Sequence, residues 1–199
     1  TAILVAFFIP MEDAQRARGN ILASFKQMGK VFTQKSLLFC YAITVTLLLS
    51  FVGMYTALGN YLSASGFSSQ SILYIRCFGI VGMLISPFAG RLVSKFGIYA
   101  VLRSGLSLSV VGLAILGFSS NLVFLIVMSI LFVTGISITV PTLISLVGQL
   151  GGTARGAAVS LYTFILFIGA TLGSVVTIGL LKTGSYLLTF EVLALLLGV

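Results

Sequence analysis

The sequence predicts an all-α membrane protein, a bundle of six transmembrane helices, and three observations predict it. Apolar residues fill 59% of the 199 positions and charged residues only 7%, with a mean hydropathy of +1.23, so there are too few polar groups to cover a water-soluble globule. The apolar residues come in runs of about 20, the length that spans a hydrocarbon core at about 1.5 Å rise per residue. Twenty-two glycines against three prolines, with no histidine and no tryptophan, suit closely packed membrane helices better than a collagenous or disordered chain.

The first element is an apolar stub over residues 1–9, ended by Pro10. Residues 10–35 then read as a linker in the cytoplasm. Within it Ile21, Leu22, Phe25, Met28 and Phe32 recur at helical spacing, with Asn20, Ser24, Lys26, Gln27 and Lys30 on the other face. That is the pattern of a basic amphipathic helix lying on the inner membrane surface, either as a spacer or as a partner site. Five full spans follow at 36–62, 70–89, 98–118, 122–147 and 157–181, and 185–199 begins a sixth, so 36–199 forms the bundle.

The links carry turn chemistry: 63–69 is small and polar, 119–121 is a short hairpin, and 148–156 is glycine-rich. Links this short force neighbouring spans to run antiparallel. The first nine residues lack the basic leader and cleavage site of a signal peptide, and the chain opens and closes inside apolar runs. Both ends are therefore expected to be cuts through helices of a longer protein.

Eleven basic residues against Glu12, Asp13 and Glu191 give a net charge of +8, which in a soluble protein would suggest nucleic acid. Here the basic residues sit between apolar runs. Arg16, Arg18, Lys26, Lys30, Lys35, Arg91, Lys95, Arg103 and Arg155 fall on one side of the alternating bundle, Lys182 falls on the other, and Arg76 lies inside a span. This bias places the long basic segment in the cytoplasm and makes membrane lipids, not nucleic acid, the expected partners.

Cys40 and Cys77 are too far apart for a redox or metal motif and read as two buried thiols. There is no histidine, no paired carboxylate on one helix, no phosphate loop and no metal-ligand cluster, so no catalytic residue, metal or cofactor is expected.

The most specific stretch is Gly90-Arg91-Leu92-Val93-Ser94-Lys95-Phe96-Gly97, preceded by Pro87-Phe88-Ala89. Glycines at its two ends would permit a tight reversal, and its basic side chains would reach lipid phosphates or helix C-termini. A generic basic turn obeying the charge bias is the plainer reading. The stretch resembles the signature of the major facilitator superfamily, G-x-L-x-D-R-x-G-R-R, in its weaker copy between helices 8 and 9. It matches at Gly90, Leu92, Lys95 and Gly97. It departs at Ser94, where the strong copy has aspartate, and at Ile98 and Tyr99, where that copy is basic.

The order of parts extends this resemblance along the chain, and Arg155-Gly156-Ala157-Ala158 followed by Ser160-Leu161-Tyr162 resembles the start of helix 11 in bacterial efflux permeases. The resemblance implies helices 7 to 12, the C-terminal half of a twelve-helix fold, with an N-terminal six-helix half as its missing partner. It implies a multi-pass permease of the bacterial cytoplasmic membrane, moving a small molecule by alternating access. Proton-coupled efflux of the drug/proton antiporter type is the expected direction and coupling. A stand-alone six-helix channel or carrier, or an intramembrane enzyme, are the alternatives.

Candidate site residues follow from polar side chains inside spans. Tyr41, Thr44 and Tyr55 can share one face of the first full span, with Asn60 near its outer end, and Thr134, Ser137, Pro141 and Ser145 can share a face of the fourth. The resemblance assigns these spans to helices 7 and 10, which line the family's central cavity. Hydroxyls bonded to their own helix are the structural alternative.

Arg76 lies roughly 9 Å inside a span by helical rise, as a substrate or gating contact or as a side chain snorkelling outward. Facing a cavity, it would favour anions or counter a carboxylate of the missing half. Glu191, inside the last span, is expected to pair with Arg76 or Lys182 rather than carry protons. Gly169 and Gly173 form G-x-x-x-G beside Ala170 and Ser174, a close-packing pattern. Because the resemblance sets helix 11 against the opposite half, they are expected at a sliding interface between halves.

Overall fold

The computed structural model describes residues 34–118 and 121–198. The stub at 1–9, the basic amphipathic segment within 10–33 and most of the 119–121 turn lie outside the described residues. Within them the chain is helical throughout: α1 (Lys35–Ala64), α2 (Ser69–Cys77), α3 (Gly79–Met83), a 3-10 turn at Ser86–Phe88, α4 (Ala89–Phe96), α5 (Ile98–Leu116), α6 (Leu122–Leu150), a second 3-10 turn at Gly152–Ala154, α7 (Arg155–Leu181) and α8 (Tyr186–Gly198). Five segments are long and apolar enough to cross a membrane, namely α1, the composite Ser69–Phe96, α5, α6 and Gly152–Leu181, while α8 is a shorter apolar helix. This is the helical membrane bundle that the hydropathy predicts.

Local chemistry explains two of the helix starts. The Ser68 hydroxyl accepts from Ser71 N at 3.2 Å to cap α2, and Asn121 Oδ1 accepts from Val123 N at 2.9 Å to cap α6. Exposed apolar side chains such as Phe39, Tyr74, Phe164, Phe167 and Leu195 cover the outside, as lipid permits.

The second span departs from the single helix expected over 70–89. It is broken at Phe78 and again at 84–88, then continues as α4 to Phe96. Pro87 has no N–H to give, and the ladder falls back on three-residue bonds, Leu84 N to Val81 O at 3.3 Å and Phe88 N to Ile85 O at 2.9 Å. Gly90 is consequently helical, and the expected reversal between two glycines reduces to one: Gly97, at φ 84° and ψ 154°, a conformation essentially restricted to glycine.

Helix packing rests on small residues, because lipid offers no hydrophobic force to drive helices together and close backbone approach must replace it. Val45 faces Gly169, Leu49 faces Gly173 and Gly53 faces Thr177, each step advancing four residues on both helices, so α1 and α7 run parallel. A Cβ on Gly169 would lie 2.6 Å from Val45 O. This corrects the expected interface between halves: Gly169 and Gly173 are covered within this bundle, by α1.

A second seam joins α5 to α6 antiparallel. Gly105, Ser109 and Gly112 of α5 meet Thr139, Gly135 and Phe132 of α6, and Ser109 Oγ donates to Gly105 O at 3.0 Å. The last helix closes the bundle between α1 and α5: Ser50 Oγ donates to Leu193 O at 3.1 Å, and Gly117 packs on Leu187. Leu47, Met54, Leu113, Phe132, Leu143 and Leu193 are fully buried at the centre.

Candidate functional site

The broken span is where the bundle departs from regular structure, and two openings flank it. The first is an apolar pocket of about 270 Å³ between Leu48 and Phe51 of α1, Met83 and Ser86 of the broken span, and Val133, Ser137 and Pro141 of α6. Gly79 and Gly82 bring the broken span onto α6: a Cβ on Gly82 would lie 2.8 Å from Ile130 O and 3.0 Å from Thr134 N. Just past that contact the ladder lapses. Ser137 Oγ supplies a donor there, reaching Gly82 O at 2.9 Å while also lying 2.9 Å from Thr134 O on its own helix. Phe51 forms one wall, stacked on Phe132 at 6.4 Å and edge-on to Tyr55 at 5.2 Å.

The second opening is a polar groove of about 420 Å³ between the C-terminal end of α1 and the length of α2 from Ser69 to Arg76. Arg76 forms its floor, donating from Nη2 to Tyr55 O at 2.9 Å. The guanidinium lies against Gly59, where a Cβ would collide with it. Asn60 Nδ2 donates to Thr56 O at 2.9 Å, and Ser63 and Ser69 complete the rim.

The structure thus brings Ser137 and Pro141 into one pocket and Asn60 and Arg76 into the other. Tyr55 lies between the two, its ring against Phe51, its hydroxyl against Gly79 and its carbonyl on Arg76. Thr134 spends its hydroxyl on Ile130 O at 2.8 Å and supports the Gly82 contact. Tyr41 and Thr44 are corrected: both are buried, Tyr41 donating to Ala158 O on α7 at 3.2 Å and Thr44 to Cys40 O at 2.7 Å, so neither faces an opening.

Glu191 is half-buried on α8, and among the described residues it makes no ion pair with Arg76 or Lys182, which corrects that pairing. Cys40 is buried as expected, but Cys77 is exposed, off the row of Ile75, Gly79 and Gly82 that turns inward. Among the described residues no cluster of His, Cys, Asp or Glu could hold a metal ion. Gly59, Gly79 and Gly82 were not singled out in sequence, and their signal there is faint, since lone glycines are common in membrane helices.

At the opposite end of the span, Arg91 lies over the Phe88 ring at 5.7 Å and Lys95 over Phe96 at 5.2 Å. Ser94, standing where the signature has aspartate, donates to Arg91 O at 2.9 Å. Arg155 reaches back across the glycine-rich link at 148–156, its Nε 3.1 Å from where a Cβ on Gly148 would stand.

Long apolar helices, seams of small residues and polar groups collected at a discontinuous span define a multi-pass membrane protein. Residues 1–198 match the family description Major Facilitator Superfamily, and the chain belongs to that family. It is 31% identical over 138 residues to an uncharacterized MFS-type transporter, YwfA, of Bacillus subtilis (strain 168), covering 66% of this chain and 33% of that protein. It is 28% identical over 140 residues to an uncharacterized transporter of Buchnera aphidicola subsp. Schizaphis graminum (strain Sg), covering 69% of this chain and 33% of that one. The matched stretch thus spans a third of the length of these curated relatives. No solved structure matches the chain.

Proposed function

We propose that the chain is the C-terminal half, helices 7 to 12, of a twelve-helix secondary transporter that moves a small molecule across the bacterial cytoplasmic membrane by alternating access. The observation that carries this reading is the pocket between α1, the broken span and α6, where three membrane-spanning elements meet at a helix discontinuity. Family membership and two bacterial relatives named as transporters support it.

In this reading the seams of α1 on α7 and α5 on α6 make this half a rigid body, and the two halves rock about a site between them. The linker at 10–35 joins the halves on the cytoplasmic side. The basic stretch with Gly90, Arg91, Leu92, Lys95 and Gly97 gates that side. Transport is efflux driven by protons, of the antiporter type. Glu191, on the short α8, is the one carboxylate among the described residues, so the proton-carrying carboxylate belongs to the other half.

The test is proton movement in proteoliposomes holding the full-length protein, driven by a panel of lipophilic drugs and small organic anions. Saturable, coupled movement that Ser137→Phe abolishes in a well-folded variant is the expected result. Unsaturating flux would mark a channel and end the carrier reading, and so would the absence of any coupled substrate.

A further inference from the structure

The polar groove at the outer end of α1 and α2 has a composition unlike that of the apolar pocket. Arg76 stands about 10 Å along the helix from Ser69, the first residue of its span. A guanidinium at that depth is costly unless another group answers its charge. Among the described residues no carboxylate forms an ion pair with it, and its hydrogen-bond partner is the uncharged Tyr55 carbonyl.

The remaining donors can be followed one by one. A guanidinium carries several N–H groups in a planar fork suited to carboxylate and phosphate, and Arg76 spends Nη2 on Tyr55. Asn60 commits one amide N–H to Thr56 O and keeps the other. Among the described residues no hydrogen bond commits the hydroxyls of Ser63 and Ser69. Thr56 has already donated to Val52 O at 2.9 Å and offers only an acceptor. The groove is therefore rich in donors around a single positive charge, and no acidic side chain lines it. Ile72 and Leu73 supply an apolar wall, and about 420 Å³ lies within the roughly 300–1,000 Å³ range of small-molecule sites. Gly59 completes the design, since only its missing side chain lets Arg76 lie flat against α1.

We propose that this groove binds an oxyanion, the carboxylate or phosphate of a small amphipathic molecule, with Arg76 as charge partner and Asn60, Ser63 and Ser69 as neutral donors. The inference deepens the transport reading by naming a substrate class and rests on it for vectorial movement, while binding itself does not require transport.

The experiment is equilibrium binding by calorimetry to the full-length protein in detergent at low ionic strength, with benzoate, succinate and inorganic phosphate as probes and benzyl alcohol as the neutral match. One or more anions should bind saturably and benzyl alcohol should not. Arg76→Gln should weaken binding by about tenfold or more, with partial retention in Arg76→Lys. Ser63→Glu, at an exposed position, should weaken it similarly by giving Arg76 an internal partner, which covers the case in which Arg76→Gln fails to fold. Phospholipid phosphorus that co-purifies with the parent and is lost in Ser63→Glu would assign the oxyanion to a lipid headgroup. Displacement of that phosphorus by the probes would assign it to a soluble anion. Absence of both anion and phospholipid binding, or binding indifferent to Arg76→Gln and Ser63→Glu, overturns the site. Arg76-dependent binding without flux in proteoliposomes would defeat the transport reading and leave the site standing; flux of neutral compounds without anion binding would do the reverse.

Discussion

Gly173 on α7 lies so close to Leu49 on α1 that a methyl group on it would stand 2.5 Å from the Leu49 carbonyl oxygen. That oxygen belongs to the backbone of a 30-residue helix and cannot swing aside as a side-chain tip would.

Gly173→Ala should therefore destabilise the bundle by about 1–3 kcal/mol, seen as a lower thermal midpoint in detergent. Gly179→Ala on the same helix, where a Cβ meets nothing within 4 Å, is the control and should be neutral or slightly stabilising. Equal midpoints for the two variants would show that α1 and α7 do not pack through this seam.

The two glycines of the basic signature separate in the same way. Gly97 occupies φ 84° and ψ 154°, so Gly97→Ala should cost about 1–3 kcal/mol although nothing crowds its Cβ. Gly90 is helical with open space around it, and Gly90→Ala should be tolerated. A stable Gly97→Ala beside an unstable Gly90→Ala would reverse the assignment of the turn.

Ser137→Ala removes the bond from α6 to Gly82 O, and a loss of about 0.6–1 kcal/mol is expected. Ser145→Ala, whose hydroxyl bonds within its own helix to Pro141 O at 2.9 Å, should change stability by less than about 0.5 kcal/mol. Chemical denaturation of the pair in a common detergent decides it.

Orientation is testable on intact cells with a membrane-impermeant maleimide, in a background lacking native cysteines. Thr183→Cys, in the link after α7, should label from outside, and Ser94→Cys, at the basic end of α4, should label only after permeabilisation. The opposite pattern would invert the topology.

Part of the candidate site was legible in sequence and part was not. Arg76 and Asn60 stood out because charged and amide groups are rare inside apolar runs, and Ser137 and Pro141 because they share a helical face. Tyr41 and Thr44 satisfied the same spacing rule yet turned inward, since hydroxyl-bearing residues serve helix contacts as readily as cavities. The break at 84–88 had a visible cause in Pro87, but Pro141 sits inside an unbroken 29-residue α6, so proline by itself did not distinguish a kinked span from a continuous one.

Taken alone, the sequence determined the solvent and the order of the membrane-spanning segments, because hydropathy and span length are local properties of a chain in lipid, while the link expected over 90–97 shrank to Gly97. Only the tertiary structure decided which face each helix turns to which neighbour. Lipid-facing and protein-facing sides are both apolar, so no stripe of polarity marks Gly169 and Gly173 for α1, or Gly59 as the gap through which Arg76 reaches the Tyr55 carbonyl.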